Sequence, residues 1–158
     1  MNKMVPHVLV LPEDDANRQL ANGFQLDYSL DTRRIQILEA AGGWRQVLER
    51  LKEVHVAEME RNPNRFMVLL VDFDRQKNRF REIAAEIPTH LSERVFVLGT
   101  WSQPEELRQA LGSYEKIGLA MAKDCRENTD AIWKHTLLTH NAEELDRLRQ
   151  RIRPILFP

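Results

Sequence analysis

Residues 66–74 read Phe66-Met67-Val68-Leu69-Leu70-Val71-Asp72-Phe73-Asp74, an unbroken apolar run followed by two carboxylates around an aromatic ring. Successive side chains of a strand point to opposite faces, so a half-buried strand alternates apolar and polar residues. No polar residue interrupts 66–71, so both faces are expected to be buried, as in a parallel sheet covered by helices on both sides. The Asn62-Pro63-Asn64 turn signal marks where this strand begins, and the switch to Asp72 marks where it ends.

Outward from this strand the chain alternates. His7 to Leu11 is a second apolar run, closed by Pro12-Glu13-Asp14-Asp15. Arg34 to Leu38 and Val95 to Leu98 complete a set of four strands. Helical spacing fills the gaps. Ala16, Leu20 and Phe24 recur every four residues over Asp14 to Phe24, with Gly23 weakening that helix's end. After Gly42-Gly43, the set Trp44, Val47, Leu48 and Leu51 marks one face of a helix running to about Glu60. Phe80, Ile83, Ala84 and Ile87 mark the next, stopped by Pro88. Ser102-Gln103-Pro104-Glu105 reads as a capping box that opens a helix carrying Leu107, Ala110, Leu111 and Tyr114. Beyond Gly112 the chain reads as helical or irregular. Asn141-Ala142-Glu143-Glu144 is a cap-like start for a last helix that buries Leu145, Leu148 and Ile152.

The order βαβαβαβα predicts an α/β fold with three layers, α/β/α, around a four-stranded parallel sheet of order 2-1-3-4. A single domain is expected over 1–158, with the α/β core over 5–111 and a helical C-terminal extension over 112–158. A chain of 158 residues buries roughly two-thirds of its unfolded surface, so its core needs no staple. Cys125 is its only cysteine, which excludes an internal disulfide and suits a reducing compartment, so a soluble cytoplasmic protein is expected. Met1 to Leu11 is too short to span a membrane and lacks a signal-cleavage pattern. The net charge of −1 provides no general field for nucleic acid, so such binding would need a local patch. Arg75, Lys77, Arg79 and Arg81 are the candidates; a charge run of this kind also serves as a solvated helix face. A protein partner or a second copy of the chain remains open.

The acids carry the functional signal. Ligands gather at the carboxyl ends of parallel strands, where the strand order switches direction. With order 2-1-3-4, strands one and three meet there, and Glu13 faces Asp72. Asp72 and Asp74 are two apart, so an extended backbone would point both the same way. Two unit charges about 5 Å apart repel by roughly 3 kcal/mol at an effective dielectric near 20. Protonation, cations or a metal ion must relieve that repulsion. An oxygen-only donor set favours Mg²⁺ or Mn²⁺, and Mg²⁺ matches phosphoryl or phosphodiester chemistry. Glu13, Asp72 and Asp74 are the expected ligands. Asp14 and Asp15 are accessory candidates that also suit capping of the following helix. Gly42 and Gly43 are accessory candidates through a turn and a helix start beside the site, and Arg75 and Lys77 through their charge.

This pattern resembles the Toprim domain of topoisomerases, bacterial primases, 5S-rRNA-maturing ribonucleases, recombination mediators and overcoming-lysogenization-defect nucleases. That family pairs a glutamate after strand one with an Asp-x-Asp after strand three, matched here by Glu13 and Asp72-Phe73-Asp74. Its glycine before the second helix is matched by Gly42-Gly43, and the likeness covers about residues 5 to 111. The resemblance implies that the aspartates hold a divalent metal, that Glu13 acts as general acid or base, and that the chain is a small stand-alone nuclease cleaving phosphodiesters. The family's glutamate is usually followed by glycine, and here Asp14 follows.

Two other classes fit parts of the pattern. A non-catalytic Toprim-like binding or regulatory module needs the same acids without turnover. In a receiver-like phosphoacceptor domain, Val10-Leu11-Pro12-Glu13-Asp14-Asp15 would form the acidic pocket, Asp72 would be the phosphorylated aspartate and Thr100 would follow strand four. Such a domain also needs a lysine ending a fifth strand, and Lys116 falls in a stretch that reads as helix. His135 and His140 lack the partner ligands of a zinc site. Trp44, Trp101 and Trp133 are candidate base-stacking rings, although Trp44 sits on a periodic helix face that suits the core.

Overall fold

β1 (His7–Pro12) and β3 (Arg65–Leu70) pair in parallel along their whole length, with His7 opposite Arg65 and Pro12 opposite Leu70. The computed structural model describes all residues, Met1–Pro158. β2 (Ile35–Ile37) adds to the outer side of β1, and β4 (Val95–Leu98) to the outer side of β3, both parallel. The order is therefore 2-1-3-4, with the apolar run in the interior of the sheet. The side chains of this run divide between two cores. Val68 faces one with Val8, Val10, Phe96 and Leu98, while Met67 and Leu69 face the other with Leu9, Leu11, Val95 and Val97.

On the first face lie α1 (Asp15–Phe24), α5 (Pro104–Leu111), α6 (Tyr114–Glu127), α7 (Ala142–Arg151) and the short α8 (Arg153–Leu156). The second face holds α2 (Trp44–Arg50), which passes through a π-helical turn at Leu51–His55 into α3 (Val56–Arg61), and also α4 (Arg79–Ala84). Leu138, Leu145, Leu148 and Ile152 sit in the same cluster as Val8 and Phe96, so residues after 112 supply one wall of the main core. Gly23 lies inside α1 and has a packing role. A Cβ there would come within 2.4 Å of the Glu115 carbonyl, and one on Gly118 within 2.2 Å of the Leu20 carbonyl. The paired glycines let α1 and α6 touch backbone to backbone.

Two expected helix starts are corrected. Ser102 does not cap α5: Gln103 occupies the cap position, and the buried Ser102 hydroxyl has no partner. Tyr114 does not continue α5 either. Gly112, at φ 107°, breaks the helix, and Ser113 caps a new one by accepting from the Lys116 amide. Asn141 precedes α7 as expected, but its side chain makes no cap bond. It turns to the exposed side of β4, accepting from Gly99 N at 3.1 Å and donating to Gly99 O at 2.9 Å.

That contact belongs to a larger device. Glu144 accepts from Val97 N at 2.8 Å, Arg147 donates to Val95 O at 3.3 Å, and the Leu137 carbonyl accepts from Trp101 N at 2.8 Å. Asn141, Glu144 and Arg147 are spaced at three along one helix face, and they meet the outward peptide groups of the alternate residues Gly99, Val97 and Val95, along β4 and just past its end. A helix thus occupies the edge where a fifth strand would add, and the edge is closed to further pairing.

Candidate metal centre

The site is built where β1 and β3 end. Glu13 follows β1 directly; its amide donates to Leu70 O at 2.8 Å, and its carbonyl accepts from Gly42 N at 2.8 Å. The neighbouring Ala41 amide donates to Pro12 O at 3.0 Å. The Gly42 turn, at φ 105°, thus extends the β2 side of the sheet and clamps Glu13 between two strands. Gly43 follows as the cap residue of α2. Asp14 caps α1, its Oδ1 accepting from Asn17 N at 2.9 Å. Asp72 follows β3 by two residues and is buried.

These placements bring one carboxylate oxygen each from Glu13, Asp14 and Asp72 within 4.8 Å of one another. Hydrogen bonds hold the arrangement. Glu13 Oε2 accepts from the Asp72 amide at 2.6 Å. The side-chain amide of Asn17, 1% exposed, donates to both Asp14 Oδ1 at 3.0 Å and Asp72 Oδ1 at 2.9 Å. On each acid one oxygen is tied down by these bonds. The other makes no protein hydrogen bond and is left to accept. Three fixed carboxylates with three unspent oxygens, and no sulfur or imidazole among them, suit a hard divalent cation.

The electrostatics agree. Burial pushes the Asp72 carboxyl up to about 7; the Asn17 bond opposes the shift, and the charges of Glu13, Asp14 and Asp74 add to it. Burial also raises Glu13, against the Asp72 amide and with the repulsion of Asp14 and Asp74. Two crowded acids displaced toward neutrality mark a place where negative charge lacks compensation from the chain.

Asp74 does not point with Asp72. Asp74 and Arg75 both adopt positive φ, 50° and 58°, so the backbone after Asp72 turns sharply. Arg75 N then bonds Trp101 O at 2.7 Å, and Gln76 N bonds Phe73 O at 2.8 Å. The Asp74 carboxylate stands outside the triad and pairs with Arg79 Nη1 at 2.9 Å. Such strained conformations at non-glycine residues concentrate at functional loops. Asp15 faces solvent and is held by Arg18 and Gln19, outside the cluster. Arg75 is exposed and paired with Glu106, and Lys77 is exposed.

Sequence reasoning missed Asn17 as a site residue. Its signal was a capping acid followed by an amide three positions on, here Asp14 and Asn17, a spacing that brings the second side chain back over the first. Arg79 sat within an apparently solvated charge run, yet it is buried. Nη1 also donates to Asp72 O at 2.8 Å, and the guanidinium lies 4.4 Å from the centre of the Trp44 ring. Trp44 is half-buried beneath it, and Arg45 covers the ring at 5.2 Å. Behind the site, Phe73 packs edge-on against His140 at 4.5 Å, and Thr100, just past the end of β4, accepts from Phe73 N at 3.0 Å through its carbonyl and is buried with its hydroxyl unpartnered.

Comparison of the chain with family models, curated proteins and solved structures returned no match. No helix is long and apolar enough to cross a membrane.

Proposed function

We propose that this chain is a Toprim-like, divalent-metal-dependent nuclease that hydrolyses phosphodiester bonds of nucleic acid. The observation that carries the reading is the triad of Glu13, Asp14 and Asp72, whose ligand atoms lie within 4.8 Å at the ends of two adjacent parallel strands. Asp72 and Asp14 would hold Mg²⁺ or Mn²⁺, with Asn17 fixing both side chains. A divalent ion held there would supply positive charge and Lewis acidity to a phosphodiester. Glu13 has one oxygen engaged by the Asp72 amide and one unengaged, and burial raises its proton affinity above that of an ordinary glutamate, which suits it to take and return a proton. Lys77 and Arg81 are exposed on the loop and helix after Asp74 and form no ion pair; they provide the local patch that draws a phosphate backbone toward the acids.

The test is cleavage of single-stranded and duplex DNA and RNA with Mg²⁺, Mn²⁺ or chelator. Metal-dependent cleavage that is lost in Glu13→Gln supports the reading. Metal binding without cleavage of any substrate replaces it with the non-catalytic binding module. The receiver-like reading is weaker, because Lys116 lies on α6 and α7 fills the edge where its fifth strand would stand.

A further inference from the structure

At the opposite end of the sheet, Arg65 is buried without an acid. It opens β3, is 8% exposed, and has no carboxylate within ion-pair distance. Its Nε donates to Nε2 of the fully buried His7 at 3.1 Å. Nδ1 of His7 lies 2.9 Å from Val5 O, so Nδ1 carries the proton and Nε2 is the acceptor. That imidazole is neutral and cannot offset the guanidinium charge. The two terminal nitrogens of Arg65 make no protein hydrogen bond and remain open to solvent.

The surroundings supply no compensating acid. His55 sits at the end of the π-helical turn, 7% exposed, with Nδ1 buried and unpartnered. Turns of this kind recur at functional sites. Burial holds the His55 imidazole below its ordinary proton affinity, and the charges of Arg65 and Arg50 act the same way. Burial also lowers His7, opposed by the Val5 bond and aided by Arg65, the N-terminus and Lys3. Arg94 lies alongside, its guanidinium spent on the carbonyls of Met59, Asn62 and Arg65. The acid that couples to Arg65 is Glu58, which is already paired with Arg61 at the surface. Buried charges are normally paired, and a guanidinium cannot escape by losing its proton.

We propose that Arg65 binds a phosphate-class oxyanion at the amino ends of β1 and β3. The planar fork of Arg65 offers two adjacent donors to two oxygens, and its Nε is already fixed by His7. The six residues of β1 place this site roughly 20 Å from Glu13, so it does not depend on the metal centre.

Inorganic phosphate is titrated into the full chain in chelator at constant ionic strength, and the imidazole C–H resonances of all five histidines are followed. Saturable shifts at His7 and His55, with His90, His135 and His140 still, are expected at millimolar phosphate. Arg65→Lys should weaken the apparent affinity roughly tenfold, because a point charge replaces a two-pronged donor. Arg65→Met should remove the shift at His55. If Arg65→Met does not fold, the wild-type resonance pattern and Arg65→Lys decide. A 5′-phosphorylated oligonucleotide is then compared with inorganic phosphate; saturation of the same two resonances identifies a nucleic-acid terminus as the source, and its failure leaves the free ion. Absence of a saturable shift in wild type, or an unchanged one in a folded Arg65→Met, overturns the proposal. Asp72→Asn should bind phosphate as wild type does, which separates this site from the metal centre.

Discussion

Glu13 Oε2 accepts the backbone amide of Asp72 at 2.6 Å, so the first acid of the cluster is held by the peptide of the second. One contact joins the ends of β1 and β3 and also sets the spacing of their carboxylates. Two substitutions at Glu13 should therefore separate. Glu13→Gln keeps an acceptor for that amide and should leave thermal stability nearly unchanged while cleavage falls by at least about 100-fold. Glu13→Ala strands a buried N–H and should cost about 1–3 kcal/mol in urea unfolding. Equal stability of the two variants would remove the structural role.

Asp72→Asn should stabilise the metal-free protein or leave it unchanged, because Asn Oδ1 still accepts from Asn17 while the repulsion from Glu13 and Asp14 disappears. Wild type should gain about 2.7 kcal/mol when free Mg²⁺ or Mn²⁺ stands at 100 times its dissociation constant. The variant should lose most of that gain. Thermal melts with chelator and with metal measure both effects, and an equal metal response in the two proteins would strike Asp72 from the ligand set.

The pH response follows from the same residue. Asp72 titrates at about 7 in the folded chain and at about 3.9 when unfolded. Between those values the folded chain binds the extra proton. The contribution of Asp72 to stability is therefore full below the unfolded value, falls as pH rises, and levels off above 7. Metal competes with that proton, so metal affinity should rise over the same interval. Melting curves from pH 4 to 8 in chelator should show the decline, and Asp72→Asn should flatten it.

Asn17→Leu removes the one side chain that donates to both Asp14 and Asp72. Leucine fills similar space but leaves Asp72 without its neutral donor. Metal affinity should fall 10- to 100-fold by calorimetric titration, the usual cost of losing a group that orients ligands. Affinity equal to wild type would show that the carboxylates hold their places unaided.

Asn141→Ala should expose the edge of β4. Gly99 would lose partners for its N–H and its C=O, at a cost of about 1–3 kcal/mol. Hydrogen exchange at Gly99 should quicken, and Val97, held separately by Glu144, should stay protected. Loss of protection at both amides would mean that α7 detaches as a unit.

Periodicity was enough to mark four strands and their parallel pairing, and the doubly wound arrangement supplied the expected order 2-1-3-4, which the sheet has. An apolar run without alternation has one stable environment, the interior of a covered sheet. Placing Glu13 against Asp72 needed only that order. The rest of the candidate centre depended on backbone direction after the strands end, where side-chain parity no longer applies. Positive φ at Asp74 and Arg75 swings Asp74 onto Arg79, and the first turn of α1 carries Asn17 back between Asp14 and Asp72. Burial of Arg79 and Arg65 was equally hidden, because a charged residue in a local window reads as solvated whatever lies above it. The same holds at the far edge of the sheet. Asn141 and Glu144 carry the signature of a helix start, and only the approach of α7 to β4 directs them to the peptide groups of Gly99 and Val97. Local pattern determines which residues are apolar and how they repeat; the hydrogen-bonding partners of polar side chains are set by long-range packing, which brings together groups more than forty residues apart.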